Sequence, residues 1–371
     1  MVRLTRVATQ QRTRARVLTA ARDEFTERGF RDAKIDGIAE RAGLTRGAVY
    51  SNFPGKRALY FAVLASDAER AAEPPRLEAV ATPGEALGAF ARAWVARLPL
   101  ATDEWDGAAA LGRDLIPEIL ADERTRRPFA QLLKLDALLL GLALEGLRRP
   151  RKPAGRMVRV AGLALTTLHG ASQLAAAAPG FGEPFDVVSA CERLTELDLG
   201  DAWQPPHLPH VPRARPADAP WSPPPAVDAV RGEPARLGGD GVVAVLGLHR
   251  LAAIEEAVRA APPGAEVTAV LVTGEPGELA PLARLAIAEL RACLGQAVPA
   301  STWPRLQVVL DDAGGIAAAA GVRAVSDATE SAVRIADGRI VARADGYGAC
   351  HAAASAVLHT RRDAPRERRH P

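Results

Sequence analysis

The chain has 371 residues, of which 48% are apolar, and a formal net charge of +3. That length accommodates two or three domains, and that composition supports buried cores rather than an unfolded chain. The three cysteines, Cys191, Cys293 and Cys350, lie far apart and form no CxxC pair. This argues against a disulfide framework or a cysteine-built zinc site and suits a reducing, cytoplasmic setting.

The charge is unevenly placed. Residues 1–70 hold 14 Lys and Arg against 8 Asp and Glu, and the first sixteen include Arg3, Arg6, Arg12, Arg14 and Arg16 with no acid. Such a basic segment is either a solvated arm or the footprint of a polyanion-binding surface. The N-terminus has no apolar run of the secretory kind. Residues 160–178 carry no formal charge but are rich in Ala, Gly and Thr, so they read as a buried helix rather than a membrane span.

A first helix is expected over 11–28, with Val17, Leu18, Ala21 and Phe25 on one face and Gly29 as its stop. Residues 35–56, IDGIAERAGLTRGAVYSNFPGK, then read as a helix, a Gly turn, a short second helix and a lysine just beyond. Ala39 permits close approach of the two axes, Gly43 supplies the positive φ of a tight inter-helix turn, and Ile35, Ile38, Leu44 and Val49 form the seam. Thr45 can cap the second helix. That helix projects Arg46, Tyr50, Ser51 and Asn52 away from the seam, the arrangement of a DNA-reading helix-turn-helix. A fourth helix begins near Lys56, with Leu59, Tyr60, Val63 and Leu64 as its stripe.

Five further helices are expected at 84–98, 103–121, 127–148, 155–178 and 184–197. The last two carry small and apolar faces suited to a four-helix interface between two chains. Residues 200–239 are Pro-dense and read as a linker. Their His207 and His210 are close in sequence, but no metal site is expected there. From 240 to 359 strands and helices alternate, with runs GVVAVLG, EVTAVLVTG and RLQVVLDD and a hairpin around Asp337-Gly338. The order β-α-β-α-β-α-β-β-α implies a mixed sheet faced by helices. Residues 360–371 form a basic tail expected to be disordered.

The stretches RVLTAARDEFTERGF and IAERAGLTRGAVYSNFPGKRALYFAVL, with LTTLHG further on, resemble the TetR family of bacterial transcriptional regulators. The resemblance implies an all-α region comprising a DNA-binding domain at 1–70 and a helical ligand-binding and dimerisation body at 71–199. It implies a homodimer on a palindromic stretch of double-stranded DNA, with no cofactor. By the same resemblance, Thr45 and Tyr50 occupy positions that touch phosphates, and Arg46 and Gly47 lie where base edges are reached. Ser51 is grouped with them. Asn52 replaces the commonest histidine, and Lys56 matches a phosphate-gripping lysine. Arg46 has the chemistry for a bidentate bond to guanine. For Tyr50, packing against the first helix is the plainer alternative. In the helical body Phe90, Trp94, Trp105, Phe129 and His169 are candidates to line a pocket for a small-molecule effector, although aromatic residues at helical spacing more often simply pack.

Residues 240–359 resemble the thioredoxin and peroxiredoxin fold, through their element order and the run VVLDDAGGIAAAAGV…SAVRIADGRIVARADG. Two departures matter. Gly247-Leu248-His249-Arg250 stands where that family places its reactive cysteine, and VSDATESAV has no proline where a cis-proline would shape the site. Without a thiolate, exchange chemistry has no mechanism. The whole chain therefore reads as a two-part, non-enzymatic, cytoplasmic regulator, most simply a repressor released by its effector. The alternative is a thiol-dependent oxidoreductase relying on Cys350, beside His351, or on Cys293.

Overall fold

A computed structural model describes residues 6–70, 80–98, 111–148, 155–202 and 213–356. Trp105, His207, His210 and the basic tail lie outside the described residues.

Four helices make the head: α1 (Arg6–Asp32), α2 (Ile35–Ala42), α3 (Arg46–Tyr50) and α4 (Lys56–Arg70). Gly29, at φ 71°, breaks α1 near its end, a backbone region open to glycine. Further helices among the described residues are α5 (Pro83–Val95), α6 (Leu115–Leu120), α7 (Glu123–Gly146), α8 (Val158–Ala177) and α9 (Pro184–Leu194). Thr82 and Glu85 close a capping box at the start of α5. Helix α7 starts four residues before the expected 127, because the Asp122 carboxylate caps Arg124 N–H at 2.9 Å, and Pro128 lies inside it.

The Pro-dense stretch differs from its expected role as a linker through 239. Arg215–Pro220 is strand β1 on the edge of the main sheet, paired antiparallel with β8 (Arg339–Asp345). Val227–Asp228 (β2) and Glu233–Pro234 (β3) pair with each other, and Trp221 is buried with its indole N–H on the Leu237 carbonyl. Prolines are tolerated there because an edge strand needs only half of its backbone groups paired.

The main sheet has the order β1-β8-β7-β4-β5-β6, with β4 (Gly241–Gly247), β5 (Glu266–Val272) and β6 (Leu306–Leu310) parallel and β7 (Glu330–Ala336) antiparallel to β4. Asp337 and Gly338 turn the β7–β8 hairpin, both at positive φ, as a tight two-residue turn requires. Helices α10 (Ile254–Ala260), α11 (Leu279–Ala297), α12 (Gly315–Ala319) and α13 (Ala349–Ala354) complete the unit. A mixed sheet faced by helices is therefore present.

Alternation along the strands sorts the sheet's two faces. Val243, Val245, Val270, Val309 and Val333 pack on one side with Ile316 and Trp221. Val242, Ala244, Leu246, Ala269 and Val308 face the other side and join a core continuous with the helical body. The joint is α11, which lies against α4, α5 and α7. Because α1 covers one side of α4 and α11 another, every residue of α4 from Ala58 to Ala65 is buried. Polar contacts fasten the same joint: Arg57 on α4 pairs with both Asp122 and Glu278, Arg156 with Glu255, and the Gln131 side chain accepts from Ala252 N–H at 2.9 Å.

Candidate nucleic-acid interface

The helix-turn-helix is built from local chemistry. Gly43 ends α2 at φ 59°, ψ 42°, a left-handed conformation from which its N–H returns to the Ala39 and Glu40 carbonyls. Thr45 caps α3, its hydroxyl accepting from Ala48 N–H at 3.2 Å. Ile38, Ala39 and Val49 are buried at the seam, with Ile35 and Leu44 packed against it. The crossing is fixed from outside the motif as well. Glu24 on α1 is 2% exposed and accepts from Arg41 Nε at 2.9 Å, and Arg16 donates to the Ala42 carbonyl at the end of α2. Sequence reading did not single out Glu24. Its signal is an acid at a position where α1 otherwise turns an apolar face inward, four residues before Arg28, with which it also pairs.

At the exposed end of α3, Arg46 has 61% of its side chain in solvent, pairs loosely with Asp36 at 3.6 Å and lies over the Tyr50 ring at 5.5 Å. Tyr50 is 43% exposed, so it does not pack into the core. Gly47 is exposed between them. Ser51 and Asn52 turn back on their own helix. Ser51 Oγ donates to the Ala48 carbonyl at 2.9 Å and Asn52 Nδ2 to the same carbonyl at 2.8 Å. Arg14 of α1 donates to the Asn52 carbonyl at 3.0 Å and stacks over Phe53, which brings the basic first helix to the end of α3.

Lys56 is placed differently from its neighbours. Its ammonium donates to the carbonyls of Phe30, Arg31 and Ala33 at 2.7, 3.1 and 3.1 Å and sits 4.5 Å from the Phe30 ring centre. All three of its donors close the α1–α2 corner, so a phosphate contact by Lys56 requires an exchange of partners.

A family model for bacterial regulatory proteins of the tetR family matches residues 17–63, the segment that folds into α1 to α4. Residues 17–63 thus match the N-terminal domain of the tetR family. This TetR segment is 49% identical over 59 residues to the transcriptional regulator SrpR of Pseudomonas putida, covering 16% of this chain and 28% of that protein. Over the same length it is 49% identical to TtgW, also of P. putida and an uncharacterized regulator by its name, covering 16% and 44%. The chain thus spans less than half the length of these relatives. A solved TetR transcriptional regulator from Rhodococcus sp. RHA1 overlaps 51% of this chain and 95% of its own, at 20% identity and a TM-score of 0.32.

Behind the TetR head, four of the five pocket candidates meet. Phe90 and Trp94 ring centres are 6.3 Å apart, Trp94 and His169 4.8 Å, and Phe129 and His169 5.9 Å. Trp94 donates its indole N–H to Ser172 at 2.9 Å. Burial lowers the His169 pKa to about 4, with Arg97 adding to the shift, so its ring is neutral at pH 7. Trp105, the fifth, lies outside the described residues.

All three thiols are buried. Burial pushes Cys191 and Cys293 up to about 11 and Cys350 well above its ordinary value. Proximity to His351 does not activate Cys350, because the sulfur is fully enclosed and near the Glu330 carboxylate. Among the described residues no group of three or more His, Cys, Asp or Glu is placed to hold a metal ion, and no helix is long and apolar enough to cross a membrane.

Proposed function

We propose that the protein is a DNA-binding transcriptional regulator, working as a homodimer that reads a palindromic site with two copies of α3. The observation that carries this is the exposed surface of α3: Thr45, Arg46 and Gly47 sit at the open N-terminal end of a capped helix, Tyr50 is exposed at its last residue, and Arg16 and Arg14 of α1 hold the backbone just before and just after it. A helix N-terminus and a guanidinium both favour an anionic oxygen, and Arg46 reaches base edges in the major groove. Thr45, Tyr50, Ser51, Asn52 and, after partner exchange, Lys56 fix the head on the backbone.

The dimer is supported by α8 and α9. Leu163, Leu174, Phe181, Phe185 and Leu197 are exposed large apolar residues, with Phe185 at 81% and Phe181 at 74%. A patch of that kind marks an interface. Two heads joined there would meet successive major grooves about 34–36 Å apart. A small molecule that binds the head-apart conformer more tightly shifts the population toward release, which makes the protein a repressor.

The C-terminal unit is read as a non-catalytic, thioredoxin-like regulatory part. Its strand order supports the resemblance, with β4 between β5 and β7 and the hairpin β7–β8 leading into α13. Two features count against thiol chemistry. The cysteines are enclosed, and the stretch Gly247-Leu248-His249-Arg250 offers no thiol; at Gly247 itself a β-carbon would run into the backbone of Ser326 and Asp327. Selection from a random DNA pool with the full-length protein tests the regulator reading. Enrichment of a palindrome is expected; enrichment of no sequence at moderate salt contradicts it.

A further inference from the structure

The C-terminal unit touches the head itself, at the turn between α3 and α4. Gly277, in the loop from β5 to α11, lies so close to Pro54 of that turn that a β-carbon there would come within 3.0 Å of the proline Cγ. Its neighbour Glu278 pairs with Arg57 in the first turn of α4, and the same guanidinium pairs with Asp122 at 2.7 Å. The Arg57 and Glu278 side chains are only 24% and 21% exposed, so solvent screens this pair less than an ordinary surface ion pair. A further link is electrostatic. Asp312, which pairs with Arg284 of α11, lies within reach of the Arg14 charge, and Arg14 in turn holds the Asn52 carbonyl at the end of α3.

The loop is held firmly on its own side. Thr273 Oγ1 donates to the Asp327 carboxylate at 2.6 Å and accepts from Glu275 N–H at 3.0 Å. The Glu275 carbonyl accepts from the N–H groups of Glu278 and Leu279 at 3.1 and 2.9 Å, and the Asp327 carbonyl accepts from His249 N–H at 2.8 Å. The loop is therefore anchored at the carboxyl ends of β4 and β5, and it meets the head as a preformed part. Residues 273–278 contain two acids and no cation. They place fixed negative charge beside the start of α4, where the head would grip a phosphate. Both cations there are already engaged, Lys56 by three carbonyls and Arg57 by two carboxylates. A DNA phosphate has to displace those partners while the nearby acids repel it.

We propose that the β5–α11 loop is an autoinhibitory clamp, which holds the α3–α4 turn and Arg57 in a closed state that DNA must open. Opening breaks the Arg57–Glu278 pair and moves Pro54 off Gly277, which frees Arg57 for the phosphate backbone and withdraws Glu275 and Glu278 from its path. DNA affinity is then set by how often the clamp is open, since only that fraction of molecules is competent to bind. The clamp acts at the start of α4 and shares no residue with the aromatic cluster around Trp94. It rests on the regulator reading above, and it gives the C-terminal unit a role that needs no thiol.

The test uses the full-length protein carrying Pro54→Cys and Gly277→Cys together, which brings two thiols within disulfide reach; the native cysteines are buried. The probe is the palindrome enriched from the random pool or, with none enriched, a mixed-sequence duplex at low salt, and affinity is read by fluorescence anisotropy. The oxidised double variant is expected to bind at least about tenfold more weakly than the same protein reduced. Glu278→Gln is expected to bind about three- to tenfold more tightly than wild type. Glu275→Gln removes the same charge from the same loop without touching the Arg57 pair and is expected to gain less. Circular dichroism verifies folding, and the disulfide pair alone carries the test if Glu278→Gln does not fold. Failure of the disulfide to form, equal or tighter binding by the oxidised form, or an equal gain from Glu275→Gln overturns the clamp. If the reduced and oxidised forms bind DNA alike, the clamp alone falls. If no form binds duplex DNA, the regulator reading falls and the clamp falls with it.

Discussion

Replacing His169 by Phe should flatten part of the protein's acid sensitivity. The folded-state pKa of His169 is lowered to about 4 from an ordinary 6.5, chiefly by burial beside Trp94 and Phe129. Between those values the unfolded chain takes up a proton that the folded chain refuses. Stability from this group is therefore full above pH 6.5 and falls as pH drops toward 4. At pH 5 the fully realised shift corresponds to about 2 kcal/mol, and the ring's partial exposure reduces that toward about 1 kcal/mol. Asp136, Glu145 and Glu289 are raised by burial and act with the opposite sign, but they are present in both proteins and cancel in the difference. Urea denaturation at pH 7.5 and pH 5 should show wild type losing about 1–2 kcal/mol more than His169→Phe. Titration of the imidazole resonance absent from the variant should give a midpoint near 4. Equal losses in the two proteins, together with an ordinary midpoint, refute the burial argument. A midpoint near 4 also means that His169 cannot offer a positive charge to an effector at pH 7.

Three other outcomes follow from single contacts. Gly43→Val forces a β-branched residue to φ 59° and should cost about 1–2 kcal/mol of head stability by chemical denaturation; a neutral result would remove the strain argument. Lys56→Ala strips three carbonyls of their shared donor and should lower stability by about 1–3 kcal/mol, measured without DNA. If only DNA affinity falls, the hydrogen bonds to Phe30, Arg31 and Ala33 carry no weight in the free protein. Phe185→Glu puts a charge on the exposed α8–α9 face and should convert a dimer to a single chain of 39.0 kDa by light scattering; an unchanged mass places any dimer contact elsewhere.

What could be read from sequence was what local chemistry determines. The Gly43 turn, the Thr45 cap, the Ala39–Val49 seam and the Asp337-Gly338 hairpin each depend on residues within a few positions of one another, and each is present. The edge strand Arg215–Pro220 was missed because its prolines signal loop, while its strand character comes from pairing with residues 339–343, more than a hundred positions away. The role of α11 was missed for a related reason. Its Ala- and Leu-rich pattern marks a helix buried on most sides but cannot say by what. Its partners include α4, more than two hundred residues earlier. Lys56 was read through its position in a motif, whereas its free-state partners are the carbonyls that end α1, which no side-chain pattern reveals. The burial of α4 by α11 also means that a fragment of residues 1–200 would expose the apolar face α11 covers, so the intact chain is the proper material for DNA work.

The most direct test of the central claim is the affinity and base preference of wild type and Arg46→Ala on the selected site, measured by fluorescence anisotropy at fixed salt. If α3 reads bases, Arg46→Ala should lose about 1–3 kcal/mol and relax preference at one symmetry-related pair of positions. An unchanged affinity with an unchanged base preference would contradict the assignment of Arg46 and α3 as the reading surface.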